Sequence, residues 1–145
     1  MPITVTAPQG VLTPAGEREI LPLLTAAVLA AGNATGNSFL TSIVGGHVAI
    51  VTVGSVYAGG VNRPLVTVRL DLPDVGLPDV ASRAAFITAA TDAVDAARVD
   101  THRREDTWVT IFNAPSGGWG LGGRAYTGDA LITAATAAAG VPVAG

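Results

Sequence analysis

Arg63-Pro64-Leu65-Val66-Thr67-Val68 decides the reading of this chain, because it restates the way the chain begins, Met1-Pro2-Ile3-Thr4-Val5. Pro64 follows Pro2 by 62 residues. Leu12-Thr13-Pro14 returns as Leu77-Pro78-Asp79 after 65 residues, and Gly59-Gly60 as Gly122-Gly123 after 63. Three landmarks at nearly one offset mark an internal duplication. Each copy reads as strand, helix, strand and glycine-rich hairpin.

In the first copy Ile3 and Val5 alternate as in a strand. Thr13 is a helix N-cap with Pro14 at the first helical position, where a missing N–H costs nothing. Ile20, Leu23, Leu24, Ala27 and Val28 form an apolar stripe at helical spacing, which Gly32 ends and Pro22 should kink. A second strand is expected within Phe39 to Val44, and Val48 to Val53 is a further extended run rich in β-branched residues. In the second copy Leu65 to Leu70 reads as a strand, and Pro78 to Arg98 as a helix burying Phe86, Ala90, Val94 and Ala97. Thr107 to Phe112 reads as a strand with Trp108, Thr110 and Phe112 on one face and Val109 and Ile111 on the other. A mobile glycine-rich stretch from Ser116 to Gly123 should follow, then a short Ala-rich helix from about Ala130 and a frayed tail from Val141 to Gly145.

Two such units predict an α/β fold of tandem β-α-β units. Its core is a four-stranded mixed sheet with two helices on one face, plus the Gly-rich hairpins. The 145 residues fit a single domain over 1–145, with units at about 2–60 and 64–123 and a tail at 124–145. The other sheet face then needs a partner. Composition agrees, since 49% of residues are hydrophobic and 13% charged, where about 25% charged is usual. A homotrimer is the expected assembly, with the hairpins Val53–Gly60 and Ser116–Arg124 reaching neighbouring subunits.

A net charge of −3 offers no footprint for a polyanion, so nucleic acid is not an expected partner. The apolar run Ile20 to Ala31 follows Glu17, Arg18 and Glu19 rather than a basic segment and is shorter than the ~20 residues of a membrane span. A buried helix, no membrane contact and a cytoplasmic location are expected. There is no cysteine, and all eight basic residues are arginine. Thiolate zinc sites, cysteine nucleophiles and lysine imines are therefore excluded. His47 and His102 have no metal-site spacing and read as ordinary surface or loop histidines, and no cofactor is expected. Gly118-x-Gly120-x-x-Gly123 fits a dinucleotide pattern on paper but stands too near the chain end for the unit that pattern requires, and reads as a hairpin.

Met1-Pro2 carries more chemistry. An initiator methionine before proline is normally trimmed, which would leave Pro2 as a free secondary amine heading a strand. An α-amino group titrates near 7.7–8 when exposed, and desolvation disfavours its charged form, so a buried one is a neutral base near pH 7. Proline at position two is also common without any function. With Met1 retained, Pro2 is an internal amide and no base at all.

Pro2 at a strand head, the two β-α-β units and the segment Trp119-Gly120-Leu121-Gly122-Gly123-Arg124-Ala125-Tyr126-Thr127-Gly128-Asp129 resemble the tautomerase superfamily, typified by 4-oxalocrotonate tautomerase. The long, two-unit members are the closest in plan, the malonate semialdehyde decarboxylase and cis-3-chloroacrylic acid dehalogenase branches. The resemblance covers Pro2 to about Asp129. It implies a cofactor-free tautomerase or isomerase in which Pro2 is the general base on a small carbonyl or enol substrate. The alternatives it implies are a decarboxylase or a hydratase/dehalogenase of a short acid with cationic Pro2, or a non-catalytic trimeric subunit.

The departures concern the substrate. The arginines that hold a carboxylate after the third strand in those branches are replaced here by Asp71-Leu72-Pro73-Asp74, with Arg69 nearby. The decarboxylase aspartate matches Asn37, the dehalogenase histidine matches Val28, and its hairpin glutamate matches about Leu121. The resemblance leaves Arg69, Asp71, Trp119, Arg124 and Asn37 as candidate substrate-binding residues around Pro2. Asp71 facing the pocket would repel carboxylates and favour neutral or cationic substrates.

Overall fold

The computed structural model describes residues 1–140. The first unit comprises β1 (Pro2–Pro8), α1 (Pro14–Ala31), α2 (Ser38–Ser42), β2 (Gly45–Val51), β3 (Tyr57–Ala58) and β4 (Val61–Asn62). The second comprises β5 (Val66–Pro73), α3 (Val80–Ala97), β6 (Thr107–Ala114), β7 (Trp119–Leu121), β8 (Arg124–Tyr126) and α4 (Gly128–Ala137). Four strands form a mixed sheet in the order β2-β1-β5-β6. Within each unit the strands are parallel, and β1 meets β5 antiparallel at the centre, Val5 opposite Val68.

Alternation along the strands sorts the two faces. Ile3, Val5 and Ala7 of β1 and Val66, Val68, Leu70 and Leu72 of β5 are buried under the helices. They pack with Ile20, Leu24 and Val28 of α1 and with Phe86, Ala90 and Val94 of α3 in one core. Thr13 caps α1, its hydroxyl accepting from Gly16 N–H at 2.9 Å, and its own N–H donates to Ala97 O at 2.9 Å. Asp79 caps α3 through Ser82 N–H at 2.7 Å. Leu23, placed in the buried stripe by its spacing, is 42% exposed on the flank of α1, and the helix runs unbroken through the exposed Pro22.

Among the described residues no helix packs on the opposite sheet face. Trp108 and Phe112 lie there, 48% and 49% exposed, on the same face as Arg69 and Asp71. The hairpins β3–β4 and β7–β8 turn on Gly59-Gly60 and Gly122-Gly123, all four with positive φ (62°, 75°, 58° and 82°). This is the left-handed backbone that tight two-residue hairpins require. No helix among the described residues is long and apolar enough to cross a membrane.

One local expectation is corrected. Phe39 to Ser42 is the short helix α2 and not a strand, and the second strand is Gly45–Val51. Asn37 starts that helix by accepting from Leu40 N–H at 2.9 Å, and the Thr41 and Ser42 hydroxyls bond back to Asn37 O and Phe39 O. Ser116 to Gly123 leads into the hairpin β7–β8. His102 lies in the loop before β6 and is buried there, its Nε2 3.0 Å from Thr107 Oγ1. The tail expected to fray lies outside the described residues.

Candidate functional site

The first residues of β1 lie where three elements meet. Pro2 pairs with Gly45 at the head of β2. The antiparallel ladder to β5 ends one residue further on, with Ile3 opposite Leu70 and Thr4 opposite Arg69. The peptide preceding Pro2 leads back into the molecule, where the Met1 amine donates to Ile43 O. Burial lowers the pKa of that amine from 8.0 to about 6. The head of β1 therefore disfavours a charged amine through desolvation.

Met1 also lines a cavity of about 370 Å³. Its walls come from distant elements: Val28 and Leu29 of α1, Leu40 of α2, Leu72 of β5 and Leu131 of α4, with the loop from Val75 to Asp79. Among the described residues the lining contains no arginine, and its one charged side chain is Asp79. Val28 contributes an apolar wall. A cavity of this size and lining suits a small, mostly apolar compound.

On the open sheet face Arg69 and Asp71 stand two residues apart on β5 and meet. Nε of Arg69 donates to Asp71 Oδ2 at 2.9 Å and Nη2 donates to Oδ1 at 2.9 Å, a two-pronged ion pair. The hydrogen bonds that Arg69 donates to Asp71 raise its pKa. Its guanidinium carbon also lies 4.1 Å from the ring centroid of Phe112, the β6 residue in register with Asp71. Arg69, Asp71 and Pro2 are thus brought to one neighbourhood. Phe112 joins them, a residue the sequence put on this face without a role.

The remaining candidates lie elsewhere. Trp119 packs edge-on against Tyr126 at 5.5 Å between centroids, and Arg124 stacks over the same ring at 4.8 Å. Tyr126 in turn meets Phe39 of α2 at 6.3 Å. Neither Trp119 nor Arg124 lines the cavity. Among the described residues Arg124 makes no ion pair. Asn37 is occupied at both ends: Oδ1 caps α2, and Nδ2 donates to Ala135 O of α4 at 2.8 Å. Its side chain ties α2 to α4. Leu121, at the dehalogenase glutamate position, is an exposed residue of β7.

Among the described residues no cluster of three or more His, Cys, Asp or Glu side chains is arranged to hold a metal ion. Sequence reasoning missed Leu131 and Ile132 of α4 as cavity walls, because only the three-dimensional return of α4 brings them beside α1.

This tandem β-α-β fold is shared with solved structures of fused 4-OT proteins. Among solved structures, a fused 4-OT wild type symmetric trimer matches with a TM-score of 0.72 at 23% identity, over 97% of this chain and 99% of that one. N1, a member of the cis-3-chloroacrylic acid dehalogenase family, matches with a TM-score of 0.70 at 14% identity, over 92% and 90%. Macrophage migration inhibitory factor of Toxoplasma gondii matches with a TM-score of 0.62 at 18% identity, over 87% and 100%. No family model and no curated protein matches the chain.

Proposed function

We propose that the protein is a cofactor-free tautomerase-type enzyme in which Met1 is removed and the Pro2 amine shuttles a proton on a small carbonyl or enol substrate. One observation carries this reading: the amine at the head of β1 is buried, which lowers the pKa of the Met1 amine to about 6, and Met1 lines an apolar cavity. Loss of Met1 would leave the secondary amine of Pro2 at the cavity edge. A neutral amine is what proton abstraction needs.

In the ketonisation direction the neutral amine first takes the enol O–H proton, and the ammonium so formed then gives that proton to carbon as the C=C pair becomes the new C–H bond and the oxygen pair the C=O bond. In the reverse direction the C–H pair becomes the C=C bond and the carbonyl pair moves to oxygen. Charge building on that oxygen calls for a donor. Arg124, on a hairpin we expect to reach a neighbouring subunit, is the candidate. The helix-free face bearing the exposed Trp108 and Phe112 is the surface that a homotrimer would cover.

A second reading is favoured by the Met1 amine itself, which is tied to Ile43 O and lines the cavity. Were Met1 retained, Pro2 would be an amide and the chain a non-catalytic subunit. Intact mass separates the two, a loss of one methionine supporting the enzyme. In the trimmed protein Pro2→Ala should lower enol-to-keto turnover of phenylenolpyruvate methyl ester about 10²–10⁴-fold, the usual worth of general base catalysis. A retained methionine, or an unchanged Pro2→Ala rate, would overturn the enzyme reading.

A further inference from the structure

The internal duplication gives the helix layer two equivalent ends, and the chain closes only one of them. There the end of α3 rests on the start of α1. A Cβ on Gly16 would lie 2.1 Å from Ala97 O, and Val99 N–H donates to Val11 O at 2.8 Å. At the other end the close of α1 and the start of α3 border the cavity of about 370 Å³, through Ala31, Gly32, Asp79 and Ser82. The repeated plan therefore does not itself require an opening. α4 walls it with Leu131, Ile132 and Ala135, and α4 has no counterpart in the first unit, which passes from β4 to β5 without a helix. Two contacts hold α4 there. Asn37 Nδ2 donates to Ala135 O at 2.8 Å, and a Cβ on Gly128 would fall 2.6 Å from the side chain of Val75. The charge on the wall is negative. Hydrogen bonds from Ser82 hold the pKa of Asp79 below its usual value, so this one charged group of the described lining is ionised at neutral pH. Arg83 adds to that shift, but its guanidinium donates to Leu77 O at 3.0 Å and does not line the cavity. α1 ends here with no basic residue in its last turn, which leaves the negative end of its dipole uncompensated.

We propose that this cavity is a binding site for an uncharged small molecule with an apolar body, that α4 sets the size of that body through Ile132 and Ala135, and that Asp79 turns anions away. The apolar body lies against Val28, Leu72 and Leu131, as in the mostly apolar pockets that hold small molecules. A carboxylate there would lose its water and meet Asp79 in place of a cation, which is costly. Excluding a charged competitor in this way is specificity through repulsion rather than added affinity. The proposal concerns binding alone and needs no reactive amine, so it stands or falls separately from the proton-transfer reading of Pro2.

The test compares 4-phenylbutan-1-ol with 4-phenylbutyrate, which share a body and differ in the charged end, by calorimetry on the full chain at neutral pH. The alcohol should bind at least about ten-fold more tightly than the acid. Its methyl shifts in NMR should centre on Val28, Leu72 and Leu131. Ala135→Leu should fill the cavity and weaken the alcohol at least about ten-fold, with the circular dichroism spectrum unchanged. If that variant does not fold, Ile132→Ala, at a largely exposed side chain, should weaken it at least about three-fold. Asp79→Asn keeps an effective helix cap and should raise the affinity of the acid relative to the alcohol at least about three-fold. No binding of the alcohol at millimolar concentration, or shifts centred on Trp108 and Phe112 instead, would overturn the proposal. So would equal or tighter binding of the acid, an affinity unmoved by the α4 variants, or an acid-to-alcohol ratio unmoved by Asp79→Asn.

Discussion

A Cβ atom placed on Gly16 would fall 2.1 Å from the carbonyl oxygen of Ala97. The first turn of α1 therefore rests directly on the end of α3, where Thr13 also donates to that oxygen. This contact joins the two units above the sheet. Gly16→Ala has no flexible side chain to displace, only backbone. It should destabilise the protein by at least about 3 kcal/mol in urea unfolding, beyond the usual cost of an overpacked core. A change below ~1 kcal/mol would mean that α1 shifts freely.

Gly46 makes the same kind of approach near the site, since its added Cβ would lie 2.1 Å from Ile3 O. Gly46→Ala should part β2 from β1 beside Pro2. We expect turnover to fall more than ten-fold, with a lowered melting temperature seen by circular dichroism.

The environment of the chain's first amine sets a pH dependence. Burial lowers the Met1 amine to about 6, from 8.0. An amine whose pKa falls on folding holds its proton less tightly in the native state, so native stability rises with pH between about 6 and 8 and is lost as pH falls. For the Pro2 amine after trimming, the same desolvation should place the acidic limb of the kcat/KM profile below the ordinary α-amino value. A limb at or above pH 8 would show an exposed amine.

His102 gives a second, independent pH signature. Its pKa is lowered, first by burial, then with opposing contributions from Asp106 and Asp95, which raise it, and Arg98, which lowers it further. The unfolded chain takes up a proton more readily below about pH 6.5, so stability should fall as pH drops through that range. Urea midpoints measured from pH 7.5 to pH 5 should decline less steeply in His102→Gln.

Asn37→Ala removes both the cap of α2 and the tether to Ala135. A loss of about 1–2 kcal/mol in stability is expected from the cap and the buried tether. KM for an uncharged ester should change less than three-fold. A ten-fold rise in KM with unaltered stability would return Asn37 to the substrate-binding residues.

The duplicated architecture was legible because its punctuation is local. Paired glycines with positive φ, Thr13 and Asp79 as caps, and period-two alternation in β1 and β5 each act within a few residues. Phe39 to Val44 misled because a short apolar run has no distinguishing period, and the Asn37 cap with two back-bonding hydroxyls tips it to helix. At the site, Pro2 and the Arg69–Asp71 alternation were visible in one strand each. Phe112 required the β5–β6 register, and the cavity needed α1, α2 and α4 to converge from more than 100 residues apart along the chain, which no local pattern encodes.

The tandem repeat has a consequence for stoichiometry. Pro64 occupies in the second unit the place that Pro2 holds in the first, yet it is bonded to Arg63, which is pinned to Asp106 at 2.8 Å. No trimming of the first residue can ever expose its nitrogen. Fusion of the two units therefore halves the number of reactive ends per fold unit. A three-chain ring would hold three amine centres and three sterile counterparts, and a titration with a tight inhibitor would saturate at one per chain. With Pro2 as the reacting amine, the second unit would supply no amine of its own, and its strand and hairpin would serve the first unit's site through contacts such as that proposed for Arg124.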